Sequence, residues 1–321
     1  MAGGNISRGW CGFGGALILL AVLTGCEVTP PPDPVLKPQA RPAVVSLPAP
    51  QVARPTSQKS AMLRSYLHQV QQAQATQGLL RRDGGGPDTP FTVDMLVRNF
   101  EQIAFYNEYD GAFRGRGGQS PLRRWAEPIR MDLVFGAAVP PSQRRDDSAH
   151  VQAYAARLAR ITGHPIGIGG APNFTVIIAS EDDRGEALQE AAARMRGISA
   201  ASLQAFENMR RDTYCAVAAF ATGPNPNTYT AAVAVIRAEN PDLLRLSCIH
   251  EELAQGLGLA NDSPAARPSI FNDDDEFALL TRHDELLLKM LYDPRLRPGM
   301  GAAEAAPISR TIANELLGGP V

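Results

Sequence analysis

Glu251 and Gln255 stand four residues apart with Glu252 beside the first, and Gly256, Gly258, Asn261 and Asp262 follow. On a helix, positions i and i+4 share a face. Glu251 and Gln255 would therefore project together, and a glycine-enabled turn would return Asn261 toward them. Two helical donors, a third from the turn and an acid beside the first make the frame of a metal site with a base for its bound water. The donor types do not suit that frame. One carboxylate and two amides are a poor zinc set, because zinc favours imidazole and thiolate. His250 does not restore it, since counting from His250 puts Ala254 at the second position. Three chemistries remain compatible with these residues. Glu252, Gln255 and Asn261 could form a buried polar network. Glu252 could keep a catalytic role as general base, with Glu251 beside it. Oxygens of Glu251, Gln255, Asn261 and Asp262 could hold a hard cation, although calcium usually gathers more ligands. No metal and no cofactor is assigned.

Other chemistry is thin. Gly167-Ile168-Gly169-Gly170 lacks the spacing and the Lys-Ser/Thr ending of a phosphate loop. There is no Gly-x-Ser-x-Gly elbow. His68, His150, His164 and His283 are single and widely spaced, and the acids from Asp273 to Glu276 read as a solvated loop. Cys215 and Cys248 lack a CxxC partner and are read as a disulfide of an exported domain, with two buried thiols as the alternative. The formal net charge is −2 with no basic block, which gives no support to nucleic-acid binding.

The elements that would position the helix come in a mixed order. Helices are predicted over 60–82 and 92–106, a strand over 129–136, and a helix over 148–162 capped by Asp146 or Asp147. A strand over 173–179, helices over 184–198 and 201–211, and strands over 214–220 and 229–238 follow. Asn240-Pro241-Asp242 then reads as cap, first-turn proline and favourable acid of the helix that carries Glu251. From the residues alone the fold class is α+β.

The N-terminus predicts an address. Residues 1–26 hold one charge, Arg8, then the apolar run Ala16 to Leu23, and end in Leu23-Thr24-Gly25-Cys26. A run this short reads as a cleaved signal and not a spanning helix. Leu-Thr-Gly-Cys resembles the lipobox of bacterial lipoproteins, which implies acylation at Cys26 and a lipid anchor in the cell envelope, facing the periplasm, on either membrane. Residues 27–60 are a Pro-rich linker without apolar periodicity, and 61–125 form a helical N-terminal region.

Residues 251–262 also resemble the metzincin pattern His-Glu-x-x-His-x-x-Gly-x-x-His/Asp with its imidazoles replaced. Glu251, Gln255 and Asn261 take the ligand positions, Glu252 that of the base, and Gly258 that of the glycine. Ser269-Ile270-Phe271 stands where a methionine turn would lie, with Phe271 in place of the methionine. Leu280-Thr281 to Leu291-Tyr292 matches the closing helix, with Thr281 and Asp284 as a capping-box variant. The segments Cys248–Asp262, Ser269–Asp274 and Leu291–Met300 resemble an uncharacterised family of bacterial lipoproteins grouped with zincin-like proteins. The resemblance implies a degenerate metzincin-like domain over 126–302, with a twisted sheet packed on an active-site-type helix, and a C-terminal tail over 303–321. It brings a fold and no reaction. The expectation is a non-catalytic envelope protein binding a peptide, protein or cell-wall component. The alternative is a peptidase-like hydrolase with Glu252 as base.

Overall fold

The computed structural model describes residues 56–108, 117–195, 197–272 and 274–318. The segment expected as a signal, Cys26 and the expected linker as far as residue 55 lie outside the described residues. Among those described, no helix is long and apolar enough to cross a membrane.

The fold is α+β and is organised by a five-stranded mixed sheet. Its strands are β2 (Ile129–Phe135), β3 (Ile166–Ile168), β4 (Phe174–Ala179), β5 (Cys215–Phe220) and β7 (Ala231–Arg237). The spatial order is β3-β2-β4-β7-β5. The first four run parallel, and β5 pairs antiparallel with β7 at the edge. β4 and β7 are buried throughout, as strands covered on both faces should be. A short pair, β1 (Arg124–Trp125) with β6 (Thr228–Tyr229), lies outside this sheet.

Side chains alternate across the sheet and meet a different layer on each side. Phe174, Val176, Ala232, Ala234 and Ile236 face the main core. That core also takes in α2 (Val93–Ala104), α3 (Pro141–Thr162), α6 (Asp242–Gln255), α7 (Arg282–Tyr292) and α8 (Ala302–Leu317). Ile177, Ala179, Val233 and Val235 face the smaller layer of α4 (Arg184–Arg194) and α5 (Ala200–Glu207). Leu96, Phe100, Leu122 and Trp125 belong to the main core. The helical region expected over 61–125 therefore packs as part of the same body as the sheet.

α1 (Gln58–Thr76) buries Leu63 and Leu67 and is also held to this body by polar clamps. The Ser57 backbone N–H and hydroxyl both donate to Asp182, and Lys59 pairs with Glu181 at 2.5 Å. Ser60 donates to Glu239 at 2.6 Å, Gln71 accepts from the Leu244 backbone N–H, and Gln74 donates to Asp275 at 2.5 Å. Burial pushes the Glu181 carboxyl up, but Arg184, Lys59 and Arg237 outweigh it and hold it down at about 2.

Several expectations are corrected. α3 starts at Pro141, with Pro140 as an N-cap that makes no side-chain bond. Asp147 therefore does not cap. It sits inside the helix, buried, and both of its oxygens accept from Arg245 Nε at 2.8 and 2.9 Å. Asn240 does not cap α6 either. Pro241 holds that place, and the Asn240 amide donates to Tyr214 O at 3.1 Å and Cys248 Sγ at 3.6 Å. Within the segment expected as a tail, the described part is not one, because α8 packs on α2 and α7 through Ala305, Ile312 and Ala313; residues 319–321 lie outside the described residues.

Candidate functional site

α6 carries the acidic pair across the sheet, and two features fix its end. Trp125 Nε1 donates to Gly256 O at 2.9 Å, and Tyr292 Oη donates to Leu257 O at 3.1 Å. These satisfy carbonyls that a helix terminus leaves open. Gly258 follows with φ 129°, where a Cβ would lie 2.3 Å from Arg123 O. Only glycine fits that turn. On its other side α6 is tied to the sheet edge by the Cys215–Cys248 disulfide, as expected from the cysteine count.

His250 is engaged in packing. It is buried, its ring stacks on Tyr154 at 4.0 Å between centroids, and its Nδ1 accepts from the Leu280 backbone N–H at 3.0 Å. Tyr154 Oη donates to His250 O at 2.8 Å. Burial, then the charges of Arg157 and His150, push the imidazole down to about 3, so the ring is neutral. That state suits an acceptor nitrogen. His250 pins the start of α7 to α6.

Glu251 and Glu252 instead face an acidic cavity of about 190 Å³ beside the Cys215 end of β5. Among the described residues six carboxylates line it: Glu108, Asp212, Glu251, Glu252, Asp262 and Asp275. Glu251 is half-buried, while Glu252 is only 4% exposed and its Oε2 has no hydrogen-bond partner. Burial raises both carboxyls well above the ordinary range. Glu252, Asp262, Glu108 and Asp275 push Glu251 further, and Glu108 and Asp262 do the same to Glu252. Both side chains therefore favour the protonated acid.

Cys215 Sγ and carboxylate oxygens of Glu251 and Glu252 lie within 4.8 Å of one another. The sulfur is spent in the disulfide, so this trio offers a metal two carboxylates and no thiolate. It does not fit zinc.

The polar network expected from the spacing is partly formed. Gln255 Nε2 donates to Asp262 Oδ1 at 3.2 Å. Asn261 departs from it: its amide donates to Gln102 O on α2 at 2.8 Å, so the side chain returning toward α6 is Asp262. The turn at Gly258 sets this register, one residue beyond the expected one. Downstream, Asp284 accepts from Ser269 Oγ, the Ile270 N–H and both Thr281 donors, which completes the expected capping box. Phe271 is fully buried, while its neighbours Ile270 and Asn272 line the acidic cavity.

A second cavity of about 320 Å³ continues along β5. Val217, Ala218, Ala219 and Phe220 line it on the strand side, with Arg123, Ser199 and Ser202 among the polar groups. Glu108 and Gln255 line both cavities. Among the described residues β5 pairs only with β7, and its outer edge borders both cavities, the one toward Phe220 of mixed apolar and polar lining and the one toward Cys215 acidic. Arg237 N–H donates to Tyr214 O, which sets the ladder phase. By antiparallel alternation the backbone groups of Cys215, Val217 and Ala219 then face away from β7.

Sequence reasoning missed Glu108 and Asp212, and it read Asp275 as part of a solvated loop, whereas Asp275 lines the cavity. They come from three separate loops, and no spacing in the chain joins them to α6.

A model of the DUF2927 family, described as proteins of unknown function, matches residues 93–311, and the chain belongs to that family. No curated protein and no solved structure matches it significantly.

Proposed function

For this member of the DUF2927 family we propose a non-catalytic binding role, in which an extended peptide segment is captured along the edge of β5. One observation carries the reading: the outward-facing backbone of Cys215, Val217 and Ala219 borders two cavities that share Glu108 and Gln255. Addition of a strand to such an edge supplies main-chain hydrogen bonds, and flanking pockets supply selectivity. Four parallel strands with one antiparallel edge strand beside α6, and the turn at Gly258, favour a zincin-like arrangement stripped of zinc ligands. The peptidase-like alternative is weaker on the same geometry. His250 is committed to Leu280, and Glu252 favours its acid form, which cannot accept a proton from water. The lipobox-like Leu23-Thr24-Gly25-Cys26 and the Cys215–Cys248 bridge favour a lipid-anchored envelope protein in an oxidising compartment.

The test is Val217→Pro. Its N–H faces away from β7, so proline removes a donor from the groove and none from the ladder. Binding of a fluorescent, end-blocked decapeptide library to the full chain is measured by anisotropy. The expected result is selection of peptides by the natural chain and at least a tenfold loss in the variant, with an unchanged circular dichroism spectrum. Equal binding by both proteins, or no peptide selected, overturns the reading.

A further inference from the structure

We infer that the Cys215–Cys248 disulfide is a reactive thiol-exchange site, opened at Cys215 by the thiolate of a dithiol reductant while Glu252 protonates the departing Cys248 sulfur. This goes beyond peptide capture and does not depend on it.

The two sulfurs are placed unequally. Cys215, on the edge strand β5, is half-buried and lines the cavity of about 190 Å³, whereas Cys248 on α6 is only 2% exposed. An incoming thiolate therefore meets Cys215, and Cys248 is the leaving sulfur. Leaving as an anion is costly for a buried group, and two neighbours lower that cost. The Asn240 amide donates to Cys248 Sγ at 3.6 Å. Glu251 and Glu252 follow Cys248 on α6 at the i+3 and i+4 positions, so the three share one helix face.

Carboxylate oxygens of Glu251 and Glu252 and the sulfur of Cys215 lie within 4.8 Å of one another, so the acids stand against the bond that breaks. Glu252 is the donor of the two. It is buried, and its Oε2 has no hydrogen-bond partner, so a proton there is committed to no other acceptor. Burial, then the charges of Glu108 and Asp262, hold that proton in place. A disulfide that serves only as a staple gains nothing from an acid beside its sulfur. General acid catalysis of the leaving group does.

The exchange balances in two steps. A reductant thiolate attacks Cys215 Sγ, the S–S bond breaks, and Cys248 takes the Glu252 proton, leaving a mixed disulfide, a thiol and a carboxylate. The reductant's second thiolate then attacks its own sulfur in the mixed disulfide and releases Cys215 as a thiolate, which takes a proton from water. Two electrons pass to the cysteines, the dithiol leaves as its disulfide, and solvent reprotonates Glu252. Opening the bond unties α6 from the edge strand.

The experiment uses the full chain with excess β-mercaptoethanol, a monothiol that halts the reaction at the mixed disulfide. Samples are quenched with iodoacetamide and mapped by mass spectrometry, and each rate is divided by the thiolate concentration at that pH. The expected result is a folded chain that reacts no more than about tenfold more slowly than the same chain in guanidinium chloride, with the adduct on Cys215 and the alkyl group on Cys248. Glu252→Gln should slow the step at least tenfold, and Glu251→Gln less than threefold. The normalised rate should fall as pH rises and the acid form of Glu252 is lost, and should be flat in Glu252→Gln. Among the described residues, the titratable groups that share the cavity with Glu252 are Glu251, Glu108, Asp212, Asp262, Asp275 and the Tyr214 hydroxyl. Each variant is accepted only with a native melting transition. If Glu252→Gln does not fold, the adduct site and the parent's pH profile decide. A folded chain protected more than tenfold, an adduct on Cys248, a normalised rate flat with pH, or a Glu252→Gln rate equal to the parent's would each overturn the inference.

Discussion

His250→Asn turns the buried imidazole into a measurable pH effect. In the folded chain His250 titrates at about 3 against 6.5 in the unfolded chain. The unfolded state therefore binds more protons between these values, and this residue's contribution to stability rises with pH. It is fully present above pH 6.5 and is lost progressively as pH falls toward 3. Each unit is worth about 1.36 kcal/mol, so acidification from pH 7.5 to 4.5 costs about 2.7 kcal/mol through this one ring. Asn keeps an acceptor near Nδ1 for the Leu280 N–H but cannot take up a proton. At pH 7.5 the variant should be less stable by about 1 kcal/mol from lost stacking on Tyr154. Below about pH 5.5 the order should reverse. Glu251 and Glu252 work in the opposite sense, since their raised folded values give stability that is lost as pH rises. Taking the variant-minus-parent difference cancels them. Urea denaturation at several pH values reads the free energies. A difference that stays flat between pH 7.5 and 4.5 would refute the account of His250 as a neutral acceptor.

Two further outcomes are expected. Cys215 and Cys248 are 33 residues apart, so Cys215→Ala with Cys248→Ala should cost about 3.7 kcal/mol of chain entropy. At roughly 2 °C per kcal/mol for a body of this size, thermal unfolding should fall by about 7 °C. A fall below about 2 °C would mean that the unfolded chain is already constrained there. For the proposed anchor, Cys26→Ser should move the protein from the membrane fraction to the soluble fraction of its host and abolish labelling by a radioactive fatty acid. Continued sedimentation with membranes would sink the lipoprotein reading.

Much of the frame was legible because period and punctuation agreed. β2, β4 and β5 announce themselves as short apolar or alternating runs, and Thr281 with Asp284 carries its own capping logic. Local signals misled where a tertiary partner outbid them. Asp147 looked like a cap, yet Pro141 starts α3 earlier and Arg245 claims the carboxylate. The Pro140-Pro141 pair was the better signal, since proline suits a first helical turn. β3 is three residues with Gly at its centre, so neither propensity nor alternation marks it. α8 was hidden by Pro307, although Ile308, Ile312 and Leu316 recur at helical spacing. In the candidate site, α6 and its glycine turn were readable, whereas the ring of acids was not. Glu108, Asp212 and Asp275 meet α6 only after the sheet has formed. The one-residue shift from Asn261 to Asp262 depended on a φ that sequence does not display.

The fastening of α1 has a mechanical consequence. Its clamps lie in sequence from Ser57 to Gln74, a pair of hydrogen bonds at Ser57 and then one hydrogen bond or ion pair at each of the others. A pull on the chain ahead of Ser57 would load them one after another, as a zip opens, instead of all together. The last tooth is Gln74 on Asp275, a residue of the acidic cavity's own wall. Force arriving from the N-terminal side thus ends its travel at the groove.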